Sequence, residues 1–549
     1  MVKHSQSWRA PRAGAAVWVI VAGLHVACVS QPQSGSGGPG TAGNATSCPA
    51  GATLCTGICF PNAADDDNRC GVGLCAVACG GGQHCTDGVC QSSKIEHVVL
   101  IVQENHTFDS YFGAYCQLDA GTNPSCTMGP QCCERPIVDT GSNTFLEPGG
   151  AAAIALDDIS NFAEDRNHDQ ACEKFQIDGG LMDHFVTGDA NPTTNCYVKD
   201  GPDCSSPNNW AMAVGTNPTD AVHYYWSLAG QNALADRYFQ PVAGGTASNN
   251  MYLAGAAFRF VDNAKMPNVV VGTRGGTGLC VDPIGCIDTT PVQPPYSAGT
   301  IGGLLLDAGK TFGVYADGYA DAYQAATTGG CPSSPPECPY GEISHPVAHY
   351  GCLYDPSDIP FLFYERFADT LSLDGQTSVV SPYVHDYAAL QSDVLGGTLP
   401  SFSYVKARLF HNEHPNMSTI TDGEAFVNET INTVLGSPTY ANNTLVLVTW
   451  DEGGGFFDHV APPAPPPVNV DADAAGQPVP YGTRVPLLAI GPFARKGAVS
   501  HVVMEHSSVV RFLEYNFVGP VGQLKARDGW VNNIGSMLEP TLTGVRVPE

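Results

Sequence analysis

Positive charge is scarce in this chain: 24 lysines and arginines stand against 53 aspartates and glutamates, a formal net charge of −29 over 549 residues. Nucleic-acid backbones are held by clusters of Lys and Arg, and the absence of such clusters excludes nucleic acid as the partner. Any anionic ligand would also be repelled by this surface, unless a bound cation inverts the local field. Long apolar runs are missing as well. Residues 15–24 (AAVWVIVAGL) are too few for the roughly 20 apolar residues that a membrane span needs. No internal repeat and no amphipathic membrane helix stands out.

Cysteine, by contrast, is abundant. Twenty-one cysteines imply an oxidising compartment. The amino terminus supplies a route to it: Lys3, Arg9 and Arg12 precede the apolar stretch, as in an export signal over 1–28. The string Leu24-His25-Val26-Ala27-Cys28 resembles a bacterial lipoprotein box with the leucine displaced by one. Two outcomes are open, lipid anchoring through Cys28 and cleavage without lipidation. Residues 29–47 have the Ser/Gly/Pro/Gln composition of a flexible tether. Eight cysteines then fall within 48–90, with almost no aliphatic core, the pattern of a disulfide-stapled module whose pairing the sequence cannot choose. Zinc binding is the competing reading, because Cys-x3-Cys occurs twice, but an exported chain disfavours it. Twelve more cysteines lie between Cys116 and Cys352 and are expected to staple surface insertions. The adjacent Cys132 and Cys133 should take different partners.

The most informative residues follow the apolar run 444–450 (TLVLVTW): Asp451-Glu452-Gly453-Gly454-Gly455-Phe456-Phe457-Asp458-His459. Adjacent carboxylates at a strand end, then glycines that admit close backbone approach, then Asp-His, are groups suited to a hard cation and an anion. A second Val-rich run, 95–103 (IEHVVLIVQ), ends in Glu104-Asn105-His106-Thr107-Phe108-Asp109. Ligands of open α/β sheets sit beyond the carboxyl ends of strands, so both sets are expected in one crevice. Strands are also expected at 311–315 and 400–406, and helices at 220–238 and 420–435. That alternation predicts a largely parallel sheet flanked by helices.

Four segments in order, QENHTFDSYFG (103–113), GGTASNN (244–250), NEHP (412–415) and DEGGGFFDHVAPP (451–463), with RVPLLAIGPFARKGAVSH (484–501) and the helix-like HSSVVRFLEYNF (506–517) after them, resemble the bacterial phosphoesterase family of phospholipases C and acid phosphatases. The resemblance runs from Lys94 to about Phe517 and implies an α/β, alkaline-phosphatase-like catalytic domain over 94–549. It implies Thr246 as nucleophile, with Glu104, Asn105, Thr246, Asp451 and Glu452 around one divalent metal ion. Oxygen ligands suit Ca, Mg or Mn, and added imidazole would favour Zn or Fe. It places His168, His414 and His459 about the scissile phosphate, with His414 chosen as the proton donor to the leaving group and Asn105 neutralising phosphoryl oxygens. Asn249 and His349 are weaker candidates for substrate contact. The family has proline after the first glycine of the nucleophile loop and before its asparagine, where this chain has Gly245 and Ser248; Ser248 is also a local rival as nucleophile.

Other strings fail on inspection. Gly309-Lys310-Thr311 lacks the glycine of a phosphate-binding loop, having Leu304 instead. His345 and His349 flank Pro346, without the glutamate that a zincin needs. No Cys or Ser followed by x-Pro-x-Arg, as a sulfatase requires, stands at the nucleophile position. The expected function is therefore hydrolysis of a phosphoester, foremost of a phospholipid and alternatively of a soluble phosphomonoester. A surface adhesion protein carrying an inactive hydrolase domain is the alternative of another class.

Overall fold

The computed structural model describes residues 78–86, 89–142, 144–188, 203–259, 295–320, 354–368 and 381–549, with short isolated stretches at 52–55, 58–61, 67, 70, 370–371 and 378–379. The expected export signal, the tether and His349 lie outside the described residues. So does most of the cysteine-rich stretch, of which the described part includes an antiparallel pair, Ala52–Cys55 with Ile58–Pro61. The chain divides into two compact units, 1–78 with 87–89, and 79–86 with 90–549. Cys79 and Cys90, expected in the small module, belong to the larger unit and are bonded to each other. Within it, His84 stacks on Tyr515 with 3.5 Å between ring centroids.

Eight strands form the central sheet of that unit: β1 His97–Gln103, β2 Ala233–Ala235, β3 Phe312–Ala316, β4 Val384–Asp386, β5 Phe402–Lys406, β6 Thr444–Trp450, β7 Leu487–Ile490 and β8 Ala498–Ser500. The order is β4-β3-β5-β1-β6-β7-β2-β8. All neighbours pair in parallel except β7, which is antiparallel to β6 and to β2. Every residue of β5 and β6 is buried, as expected of strands covered on both faces.

Register decides the position of the site. Val102 of β1 stands opposite Lys406 of β5 and Thr449 of β6, and Gln103 stands opposite Trp450. The three central strands therefore end level with one another, and the residues that follow, Glu104 and Asp451, emerge beside Lys406.

The helices used below are α1 Phe108–Phe112, α2 Gln170–Ile177, α3 His223–Gln231, α4 Thr246–Gly255, α5 Ala388–Gly396, α6 Ile420–Leu435 and α7 His506–Leu513. Helix α6 has the expected bounds. Thr419 caps it by accepting from the Asp422 amide, and Ile420, Gly423, Phe426, Val427, Ile431 and Val434 form one buried stripe.

The helix expected over 220–238 is shorter. Asp220 accepts from the Asn217 amide in a turn, and Val222, at φ 66°, blocks extension towards the amino terminus. After Gln231 the chain becomes β2, where Ala233, Leu234 and Ala235 lie buried between β7 and β8. Tertiary packing overrides the helix preference of alanine there. Past Leu513, α7 widens into a π-turn, Glu514–Val518.

The cysteine expectation for 116–133 holds: Cys116 bonds Cys133 and Cys126 bonds Cys132, so the adjacent pair takes separate partners. Cys172, inside α2, bonds Cys204. No helix of the described residues is long and apolar enough to cross a membrane.

Candidate active site

Thr246 opens α4, with Gly245 as an N-cap that has no side chain to close the first turn. The amides of a helix start and its dipole favour an anion, and the hydroxyl of Thr246 is held at their level. Its Oγ1 donates to Glu104 Oε2 at 3.3 Å. The loop before it is braced from behind. Glu173 of α2 accepts from the Gly244 amide at 2.6 Å and the Thr483 amide at 3.2 Å. Burial pushes its carboxyl up to about 8 against those bonds.

Asn249, expected to touch substrate, instead spends its side chain on this loop: Oδ1 accepts from the Val242 amide, and Nδ2 donates to the Gly244 and Gly245 carbonyls. These bonds do the work of the prolines that the loop lacks. Ser248 Oγ donates to the Gly245 carbonyl at 2.7 Å, so that hydroxyl is turned into the loop.

At the strand ends, Asn105 adopts φ 63°, an uncommon conformation at a functional position. Its amide donates to Asp451 Oδ1 at 3.1 Å. Gly454, at φ 61°, packs on the Asn105 backbone, where an added Cβ would lie 2.8 Å from its carbonyl carbon. Gly454→Ala is therefore expected to cost on the order of 2–3 kcal/mol through backbone strain and displacement of Asn105; a thermal midpoint equal to wild type would contradict this.

Asn105 Oδ1, Asp451 Oδ2 and Glu452 Oε1 are buried and have no hydrogen-bond partner among the described residues. Burial and the Glu104 charge push Asp451 up to about 7, and burial and Asp451 push Glu452 well above the carboxylate range. Unpaired buried oxygens of this kind are costly unless a cation receives them. An all-oxygen donor set of Glu104, Asn105, Thr246, Asp451 and Glu452 fits a hard divalent ion.

The histidines divide. His168 Nδ1 donates to the Arg166 carbonyl at 2.6 Å, and its Nε2 lies 3.7 Å from Glu452 Oε1. His414 Nδ1 donates to the Pro415 carbonyl at 2.7 Å. The two rings stand 6.0 Å apart, half-buried above the floor. Asp165, His168 and His414 bring ligand atoms within 4.8 Å of one another, a spacing to which the strand-end carboxylates do not close among themselves.

His459 is held differently: Nδ1 and its amide bond Asp109, while Nε2 is buried without a partner. Arg484 Nη2 donates to Asp109 and its Nε to Asp458, at 2.9 and 2.8 Å, so a cation already fills that carboxylate pair. No hydrogen bond or ion pair among the described residues joins His459 to the Thr246–Glu104 cluster.

Several supporting residues lay outside the sequence reading. Glu413 takes donors from Tyr111, Tyr225, Trp450 and Gln103, while Asn412 links Glu104 to His414 through its carbonyl and side chain. Lys406 Nζ bonds Glu104 Oε1 and lies 3.6 Å from Asp358 Oδ2. A lysine ending an otherwise buried strand is a legible signal, because an ammonium is rarely left there without paired carboxylates. Asp358 sits in a short helical turn whose partner cannot be inferred from spacing.

Carboxylates, an amide and a helix-borne hydroxyl at the strand ends of an α/β sheet are groups suited to hydrolysis by nucleophilic attack. Residues 95–519 match the Phosphoesterase family, and the chain belongs to it, which makes it a hydrolase of phosphoric esters. Phospholipase C B of Mycobacterium tuberculosis is 26% identical over 470 residues, 81% of this chain and 77% of that protein. Non-hemolytic phospholipase C of Pseudomonas aeruginosa is 26% identical, covering 77% of this chain and 54% of its own length. Non-specific phospholipase C3 of Arabidopsis thaliana is 22% identical, covering 83% and 75%. An alkaline phosphatase superfamily protein of Vibrio parahaemolyticus overlaps 57% of this chain and 65% of its own, at 9% identity and a TM-score of 0.27, too loosely to carry an argument.

Proposed function

We propose that this phosphoesterase is an exported, metal-dependent enzyme of phospholipase C type with Thr246 as its nucleophile. The observation that carries the reading is the Thr246 hydroxyl, at the start of α4 and bonded to a buried carboxylate. A bound divalent ion would supply charge for the phosphoryl oxygens and lower the pKa of the attacking hydroxyl.

The residues themselves do the rest. Glu104 Oε2 orients the Thr246 proton and is placed to accept it as Oγ attacks phosphorus. The phosphorus–oxygen bond to the diacylglycerol breaks, and His414 Nε2, opposite the anchored Nδ1, gives that oxygen a proton. Phosphothreonine bearing the head group remains. Water then attacks phosphorus, passing a proton to His414, while Glu104 returns its proton to Thr246 Oγ as that bond to phosphorus breaks and the phosphorylated head group is released. Asn105 and His168 offer dipole and charge to the non-bridging oxygens.

A lipid substrate is favoured by the chain after His459, which is apolar and proline-rich (460–468). Val468 is 51% exposed there, and Leu181, 64% exposed, follows Gly180, which lies beside Ala461. Disulfides among the described residues, such as Cys79–Cys90, Cys116–Cys133, Cys126–Cys132 and Cys172–Cys204, support export. Purified protein is expected to hydrolyse p-nitrophenylphosphorylcholine faster than p-nitrophenyl phosphate. The opposite ranking would assign it to soluble monoesters, and inactivity on both would return it to an adhesive role.

A further inference from the structure

We propose that Lys406 is a built-in second cation of this centre: its ammonium occupies the place between Glu104 and Asp358 that another metal ion would take, and so restricts the chain to one divalent ion. The inference rests on the one-ion reading above.

Four carboxylates are almost wholly buried here: Glu104, Asp451 and Glu452 at the strand ends, and Asp358 from a short helical turn beside Lys406. A single divalent ion leaves two of their negative charges unbalanced, and burying unbalanced charge is expensive. Lys406 removes one of them. The lysine is 2% exposed and fixed by strand register at the end of β5, so it cannot leave for solvent as a surface lysine does.

The geometry separates the two cation positions on Glu104. Oε1 carries the ammonium, which also reaches Asp358 Oδ2 at 3.6 Å. Oε2 faces Thr246 Oγ1, and the unpartnered oxygens of Asn105, Asp451 and Glu452 belong to the donor set on that side. Glu104 would thus face the ammonium with one oxygen and a bound divalent ion with the other. Lys406 is a positioning residue: it bonds Glu104 and lies beside Asp358, and it fixes the carboxylate to which Thr246 donates.

Removing the ammonium should open the second position. Equilibrium dialysis of metal-stripped full chain against Mn2+, with elemental analysis, is expected to give one ion per chain for wild type and Lys406→Arg, and two for Lys406→Ala. One ion in Lys406→Ala would overturn the proposal, as would two in the wild type. No ion in the wild type would sink the metal reading itself, a distinguishable outcome. Should Lys406→Ala fail to fold, the wild type alone decides: its Mn2+ spectrum in electron paramagnetic resonance should stay that of an isolated ion at large excess, and a spin-coupled pair would refute the assignment.

Discussion

Thr246→Ala is expected to lower kcat by a factor of about 10⁴ or more, because removal of an attacking atom leaves only binding and electrostatic assistance. The fold should survive. Among the described residues the Thr246 side chain donates to Glu104, a bond whose loss costs about 1 kcal/mol, and the helix start is held by Glu173 and Asn249 rather than by the threonine. Metal content should also persist, since Asp451, Glu452 and Asn105 are untouched. Thr246→Ser restores a hydroxyl at the same helix position and should recover measurable turnover. An alanine variant that works at the wild-type rate would mean direct attack by water.

Asp451→Asn is expected to separate metal binding from stability. Asparagine can still accept from the Asn105 amide through Oδ1, as the carboxylate does, but the negative charge is gone. Affinity for Mn2+ should fall by at least the roughly 10–100-fold seen when residues outside the ligand shell are changed, with activity falling alongside. Without metal, the variant should be the more stable protein. Burial and Glu104 raise the Asp451 carboxyl from 3.8 to about 7 in the fold, so the wild type loses stability as pH rises through that window. The difference in midpoint should grow from about pH 4 to pH 7 and then level off. An unchanged metal content, or a variant less stable at pH 8 in chelator, would contradict the placement of Asp451.

Much of this was legible in the sequence because it resides in local pattern. Runs such as TLVLVTW announce buried strands, and α6 declares its start with Thr419 and its face with a periodic stripe. Acidic and amide residues at the ends of β1 and β6 could be placed together because parallel strands end on one side. The part that could not be read depends on register and on distant packing. Lys406 meets Glu104 only because β5 and β1 pair with Val102 opposite it.

Asn249 looked available for substrate from its place in the loop, yet the turn geometry directs both ends of its amide to backbone. Ala233, Leu234 and Ala235 of β2 favour helix on propensity and become strand because they pair with β7 on one side and β8 on the other. His459 reads as a phosphate ligand by motif, while its tie to Asp109 and the neighbouring Arg484 is a matter of tertiary contact alone.

The most direct measurement of the central claim is to stop wild-type enzyme with acid during turnover of p-nitrophenylphosphorylcholine and map the modified peptide by mass spectrometry. The account predicts phosphorylcholine mass on the peptide containing Thr246, fragmenting to the threonine and absent from Thr246→Ala. Modification of Ser248, or none during a turnover slow enough in its second step to show a burst, would contradict it.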